Sequence, residues 1–296
     1  MPGKPRPKPS WLKVPLPGGE RYRRVKRAVE RGGLHTVCSE AQCPNRGECW
    51  NAGTATFLIL GDTCTRGCRF CAVTRGDPAG AADAGEPARV ARGAEQMGLD
   101  YAVVTSVTRD DLADGGASIF ADTVRALRAL DPAPRVEVLI PDYTGEALRA
   151  VIDAGPVVLA HNVEVVERLS ASMRHPRFDY RRSLEVLERA GEAGAPRGLL
   201  TKSSILLGLG ETRRELLATM RDLRRAGVAI LVLGQYLRPT RDHAEVAEYV
   251  PPERFDELAA LGGELGFDFV AASPLARTSY RAAEAYVRRR VAAERP

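Results

Sequence analysis

Cysteine is missing from most of this 296-residue sequence: there are six, and none follows Cys71. No apolar run approaches the eighteen or so residues that a membrane span needs. The first twenty residues lack the apolar core of a secretory signal. These absences predict a cytoplasmic protein without a membrane span, whose thiols are reduced rather than paired in a disulfide framework. Aromatic residues are few, at 6%, and none interleave with the N-terminal basic residues in the way that base stacking on nucleic acid requires. What remains is ordinary: 44% hydrophobic and 27% charged residues, enough to bury a full core.

The net charge of +5 is unevenly spread. Residues 1–31 hold ten Lys and Arg against two acids, Glu20 and Glu30, so the rest of the chain is slightly acidic. The basic character therefore belongs to an arm. Such an arm suits nucleic acid, a membrane surface or an acidic protein, and equally a solvated tail. The expectation is no nucleic acid and no membrane. Residues 1–20 read as an extended arm because Pro2, Pro5, Pro7, Pro9, Pro15 and Pro17 oppose helix and sheet ladders. Residues 21–31 suit a short basic helix.

From residue 54 short apolar runs alternate with longer amphipathic stretches. Strands are predicted over 56–60, 102–105, 136–140, 157–160, 203–207, 230–233 and 269–272. Helices are predicted near 86–98, 117–129, 145–154, 180–193, 212–226, 252–265 and 281–293. This alternation indicates βα units on a parallel sheet. Six or seven units suggest a barrel or partial barrel over a doubly wound sheet. Polar residues recur just after the strands: Thr105, Ser106, Arg109, His161, Asn162, Glu211, Gln235 and Tyr236. The carboxyl ends of barrel strands hold active sites.

All six cysteines fall within residues 38–71. Cys64, Cys68 and Cys71 form C-x3-C-x2-C directly after the first strand. Three thiolates hold three irons of a four-iron cubane and leave the fourth open to a small molecule. Gly67 is expected to curl the backbone through a positive φ, and Arg66 and Arg69 to offset the thiolate charge. Cys38, Cys43 and Cys49 form C-x4-C-x5-C in a loop containing Gly, Pro and Asn. Read alone, that spacing suits zinc, iron–sulfur or a redox site, and its fourth ligand is open between His35 and an oxygen from a distant segment.

The C-x3-C-x2-C triplet resembles that of the radical S-adenosylmethionine (SAM) superfamily. In that superfamily the open iron binds SAM, and an electron from the cluster cleaves SAM to methionine and a 5′-deoxyadenosyl radical. The first triplet beside it narrows the resemblance to the lipoyl synthase family, whose auxiliary-cluster motif it is similar to. The flanks agree: Pro44-Asn45, Glu48-Cys49-Trp50, Arg109-Asp110-Asp111-Leu112, His161-Asn162 with Glu164, Thr201-Lys202-Ser203, Gly208-Leu209-Gly210-Glu211 and Gly234-Gln235-Tyr236-Leu237. The resemblance covers about residues 20–285. The family's C-terminal Arg-Ser-Ser-Tyr reads Arg277-Thr278-Ser279-Tyr280 here.

The resemblance implies an α/β partial (β/α)6 TIM-like barrel with extensions carrying an auxiliary cluster. Its segments would be a basic arm 1–20, an auxiliary-cluster segment 21–53, the barrel 54–268 and a C-terminal extension 269–296. It implies two [4Fe–4S] clusters: Cys64, Cys68 and Cys71 hold the SAM-binding one, and Cys38, Cys43, Cys49 and Ser279 the auxiliary one. SAM contacts are expected from Thr105, Asn162, Glu164 and Glu211. The implied reaction inserts two sulfur atoms at C6 and C8 of a protein-bound octanoyl-lysine, with the auxiliary cluster consumed as donor. The implied partners are octanoylated lipoyl carrier domains (2-oxoacid dehydrogenase E2 subunits and the glycine cleavage H protein), ferredoxin or flavodoxin as electron donor, and iron–sulfur carrier proteins. Two departures from the family's pattern stand out, Ala244-Glu245-Val246 after His243 and a longer Met173–Tyr180 segment; neither is expected to touch a ligand. A sulfur-inserting enzyme of the biotin synthase kind would share Cys64, Cys68 and Cys71 without the other triplet and Ser279. The alternative of another class is a zinc-bound scaffold or nucleic-acid-binding module using the basic arm.

Overall fold

A computed structural model describes residues 7–14, 16–41, 43–52 and 54–279, together with Glu284, Tyr286, Val287 and Arg290. Tyr280 and most of the helix expected over 281–293 lie outside the described residues.

The strands are β1 (His35–Thr36), β2 (Thr56–Ile59), β3 (Thr63–Cys64), β4 (Thr74–Arg75), β5 (Tyr101–Ser106), β6 (Arg135–Leu139), β7 (Val158–Ala160), β8 (Leu200–Leu207), β9 (Ile230–Gln235) and β10 (Phe269–Ser273). The helices are α1 (Glu20–Arg31), α2 (Val37–Glu40), α3 (Arg46–Asn51), α4 (Glu86–Met97), α5 (Ala117–Arg128), α6 (Gly145–Asp153), α7 (Glu167–Met173), α8 (Tyr180–Gly194), α9 (Arg213–Arg225) and α10 (Pro252–Glu264). One eight-stranded sheet runs β1-β2-β5-β6-β7-β8-β9-β10. Every pairing in it is parallel except β1 with β2, and β3 pairs with β4 in a separate ladder. The order follows the chain without a reversal, as a right-handed βα series winding into a barrel requires. The two outer strands do not pair with each other, so the barrel is partial.

Nearly unbroken burial along β2, β5, β8 and β9 is the mark of strands covered on both faces. The outer helices are amphipathic, and their starts and stops are written locally. Thr212 and Glu215 form a capping box at the start of α9, and Gly98 ends α4 in the left-handed conformation.

Among the described residues the predicted strands, and the helices from 86–98 to 252–265, are present with small shifts at their ends. The largest shift is β8, which begins three residues earlier than expected, at Leu200. Its Leu-Thr-Lys start reads as polar, yet Lys202 is buried there. Three features differ more. The first cysteine triplet is only partly in a loop: Cys38 lies in α2 and Cys49 in α3, with Cys43 in the segment between them. The segment 21–53 adds β1 to the sheet edge, and its Val25, Val29 and Trp50 share one core with Phe57 and Val104 of the barrel. The segment starting at 269 contributes β10, which pairs with β9, so the barrel extends to Ser273. The arm also makes a turn over Ser10–Leu12 that buries Leu12.

A buried ionic cluster lies between three strands. Lys202 Nζ donates to Glu137 Oε1 at 2.8 Å, and Tyr101 Oη donates to Glu137 Oε2 at 2.6 Å. Below it Tyr101, Val158, Leu200, Ile230 and Val287 form an apolar cluster. Tyr286 stacks on Phe269 at 5.3 Å, and Arg290 pairs with Asp268. Tyr286, Val287 and Arg290 thus pack against the amino-terminal end of the barrel.

Candidate iron–sulfur active site

At the carboxyl ends of the strands lies a cavity of about 490 Å³. All six cysteines line it, and so does Ser279. All six thiols are free of disulfides.

After β2, Cys64 ends β3, and Cys68 and Cys71 lie in the loop between β3 and β4. The chain leaves β2 through Leu60 at φ 67°, a left-handed conformation unusual for Leu. Leu60 is pinned there on both sides: its N–H donates to Glu86 at 2.8 Å, and its carbonyl accepts from Arg109 at 3.1 Å. Further ties join Thr65 to Thr108, Arg69 to Met173 and Ala244 to Arg69. The backbone then aims N–H groups at sulfur. Arg66 and Thr108 donate to Cys64 Sγ and His175 to Cys68 Sγ, each at 3.4 Å. Burial pushes the Cys71 thiol up to about 12, partly offset by the Val73 N–H, and pushes Cys68 up as well.

In the Cys38, Cys43 and Cys49 triplet, burial raises Cys38 while the Thr56 backbone and the Trp50 indole lower it. Trp50 is held against Tyr22 of α1 at 5.2 Å. Asn45 ties this segment to the C-terminal loop through Leu275 O at 2.6 Å. Mutual thiol repulsion runs within each triplet: Cys43 acts on Cys38, and Cys68 and Cys64 act on Cys71. Among the described residues no group of three or more His, Cys, Asp or Glu side chains is arranged to hold one metal ion. In a cubane each thiolate takes a different iron, so the sulfurs need not converge on a point.

Thr105, Asn162 and Glu164 line the same cavity. Thr105 Oγ1 donates to Leu139 O at 2.9 Å. Glu164 stands at φ 65°, and burial pushes its carboxyl up. Glu211 is not brought in. Its carboxylate accepts from Gly208 N at 2.6 Å and Leu209 N at 2.9 Å, so it holds the turn after β8. His35 faces Glu40 at 3.5 Å. Arg66 does not offset thiolates: it pairs with Asp110 at 2.7 Å and Asp142 at 2.9 Å and lies over Phe178 at 4.2 Å. These bonds hold Asp110 at about 2. Gly67 is outside the left-handed region; its missing side chain leaves room for Arg75 Cδ, which a Cβ would meet at 2.7 Å. The Met173–Tyr180 departure does reach a proposed ligand, His175 N–H donating to Cys68 Sγ at 3.4 Å; the other reaches only the Arg69 carbonyl, which accepts from Ala244 N–H at 2.8 Å.

Some lining residues escape sequence reasoning. Arg174 is buried, faces Glu164 and Cys68, and lies over Phe178 at 4.4 Å. Lys8 brings the arm to the cavity. No spacing signal marks either. His161 was visible after its strand: Nδ1 lies 3.0 Å from Ile140 O, while Nε2 has no partner. Burial pushes that imidazole down to about 4, so it is neutral, with Nε2 free to accept a hydrogen bond.

Comparison with known proteins decides the family. The Radical SAM superfamily model matches residues 58–223, and the model for the N-terminal domain of lipoyl synthase matches residues 3–43. A lipoyl synthase of Thermus thermophilus is 55% identical, covering 94% of this chain and 86% of that protein. One from Sorangium cellulosum is 52% identical, covering 95% and 80%. The chain belongs to the lipoyl synthase family. It is a radical SAM sulfurtransferase, and its cofactors are [4Fe–4S] clusters and SAM. A mitochondrial lipoyl synthase of Arabidopsis thaliana is 48% identical, covering 99% and 80%. Among solved structures, the [FeFe]-hydrogenase maturase HydG matches with a TM-score of 0.56 at 18% identity, over 73% of this chain and 50% of that one. That likeness speaks for the fold. The residues present fit these cofactors: free thiols in two sets of three and N–H donors on sulfur suit the clusters, and unpartnered buried acceptors at His161 Nε2 and Asn162 Oδ1 suit the donors of SAM.

Proposed function

We propose that Cys64, Cys68 and Cys71 hold the SAM-binding cluster, and that Cys38, Cys43, Cys49 and Ser279 hold the auxiliary one. The carrying observation is that both triplets and Ser279 line one cavity. When bound, the first cluster supplies the electron that splits SAM into methionine and a carbon radical, and the second supplies two sulfur atoms for C6 and C8 of an octanoyl chain. Octanoyl carbons have no acidic proton or leaving group, so acid–base side chains alone cannot open them.

The chain's own residues bind, orient and exclude water. Thr105, Asn162 and Glu164 meet SAM; Asn162 Oδ1 and His161 Nε2 accept its donors. Arg174 balances the Glu164 carboxylate beside Cys68. Val103, Ile140, Leu206 and Phe178 give the cavity apolar walls suited to an uncharged acyl chain. The substrate is an octanoyl-lysine on a lipoyl carrier domain, of an E2 subunit or the H protein. A ferredoxin or flavodoxin supplies electrons, iron–sulfur carriers rebuild the auxiliary cluster, and the setting is the cytoplasm. No helix among the described residues is long and apolar enough to cross a membrane.

The test is mass spectrometry of an octanoylated carrier peptide incubated anaerobically with SAM, reductant and the reconstituted protein. Exchange of two hydrogens for two sulfurs is the expected result. SAM cleavage with the peptide unchanged would refute the proposal.

A further inference from the structure

Asn162 has a donor side already full and an acceptor side empty. Its Nδ2 donates to Glu164 Oε1 at 3.0 Å and to Thr278 Oγ1 at 2.9 Å. Both amide hydrogens are thereby used. Its Oδ1 is buried without a partner, and the residue is 8% exposed. Thr278 immediately precedes Ser279, and both line the cavity. Glu164 itself is fixed by backbone: its N–H donates to Ser204 O at 3.1 Å, and its carbonyl accepts from Leu206 at 2.7 Å. A short relay therefore runs from the first-cluster side of the cavity, where Glu164 faces Cys68 and Cys71, to the residue beside the oxygen ligand of the other cluster.

We infer that Asn162 and Thr278 are positioning residues that tie the grip of Ser279 on its iron to the presence of SAM. This rests on the reading of Ser279 as a ligand and Asn162 as a SAM contact. A SAM hydroxyl donating to Asn162 Oδ1 breaks no existing bond. It completes the amide, and hydrogen bonds in such a chain polarise and strengthen one another. Thr278 is then held more firmly, and Ser279 with it. Thr278 and Ser279 would then be held in place while SAM is bound and freed once SAM is spent. By linkage the effect is reciprocal: a loaded auxiliary site tightens SAM by the same factor. One hydrogen bond sets that factor at about fivefold, or about 1 kcal/mol.

The experiment measures SAM Kd by equilibrium dialysis on reconstituted protein with both clusters, and on the Cys38→Ala/Cys43→Ala/Cys49→Ala form that lacks the auxiliary one. The parent is expected to bind SAM about fivefold more weakly without the auxiliary cluster. In Thr278→Val, which keeps the shape and removes the hydroxyl, the two values converge; Thr278→Ser restores the difference. A Thr278→Val protein that keeps the full difference overturns the inference, as does a parent that shows none. Ser279→Ala separates this from the underlying reading. An unchanged auxiliary-cluster spectrum in that variant removes Ser279 as ligand, and the inference with it. A changed spectrum alongside intact coupling in Thr278→Val removes the inference alone.

Discussion

Replacing Lys202 by Met tests how the barrel is braced beneath the cavity. Lys202 and Glu137 are each 1% exposed and 2.8 Å apart. Breaking a buried pair by removing one partner leaves an uncompensated charge and costs about 3–5 kcal/mol. Tyr101 keeps one Glu137 oxygen satisfied but supplies no charge. For a chain of this size each kcal/mol moves Tm by about 2–4 °C, so Lys202→Met should lower Tm by roughly 10 °C. The pair itself is not needed for stability if its polar atoms leave together. The triple change Lys202→Met, Glu137→Leu and Tyr101→Phe removes the charges and the hydroxyl that bonds Glu137 at once. It should return to within about 1–2 kcal/mol of the parent, since replacing buried ion pairs with apolar groups is often neutral. Anaerobic urea unfolding of the cluster-loaded proteins gives the numbers. A single Lys202→Met variant within about 1 kcal/mol of the parent would refute the reasoning.

Three further outcomes follow from the site. His161 is buried neutral at about 4, below its ordinary value near 6.5. Its share of stability is therefore complete above about pH 6.5 and is lost as pH falls toward 4. Between pH 6.5 and 5 the parent should lose about 1.5 kcal/mol more than His161→Gln in urea unfolding; parallel slopes would contradict this. Gly234→Ala places a Cβ against the carbonyl oxygen of Ala276, a backbone atom that can make room only if its loop moves. That shifts the loop carrying Ser279, so iron should fall from about eight to about four per chain, with the signal of the SAM-binding cluster kept. Ser279→Cys should hold the auxiliary cluster more firmly and give less lipoyl product, because an oxygen donor binds a soft iron–sulfur site less tightly than thiolate; an unchanged yield would contradict that.

The barrel could be read in advance because its signals are local. Runs such as Tyr101–Ser106 and Ile230–Gln235 are apolar, short and bounded by turn residues. The Cys64, Cys68 and Cys71 triplet stood out by its spacing, whereas Cys38, Cys43 and Cys49 read alone left zinc, iron–sulfur and redox sites open and were narrowed only by the family resemblance. What escaped depends on contacts between distant segments. Arg174 reaches the cavity through the turn after α7, and Arg66 was drawn away from the thiols by Asp110 and Asp142. Glu211 looked like a ligand contact from its place after β8, yet two backbone N–H groups claim it. The short helices carrying Cys38 and Cys49 are too brief for periodicity to show; packing of Trp50 on Tyr22 holds the second in place.

The central claim is that two separate clusters share one cavity. Iron and sulfide analysis of anaerobically reconstituted protein tests it most directly, on the parent and on two triple variants. About eight irons are predicted for the parent. About four should remain after Cys38, Cys43 and Cys49 become Ala, and about four after Cys64, Cys68 and Cys71 do. Loss of all iron from either variant, or a single zinc without sulfide in the parent, would contradict the account.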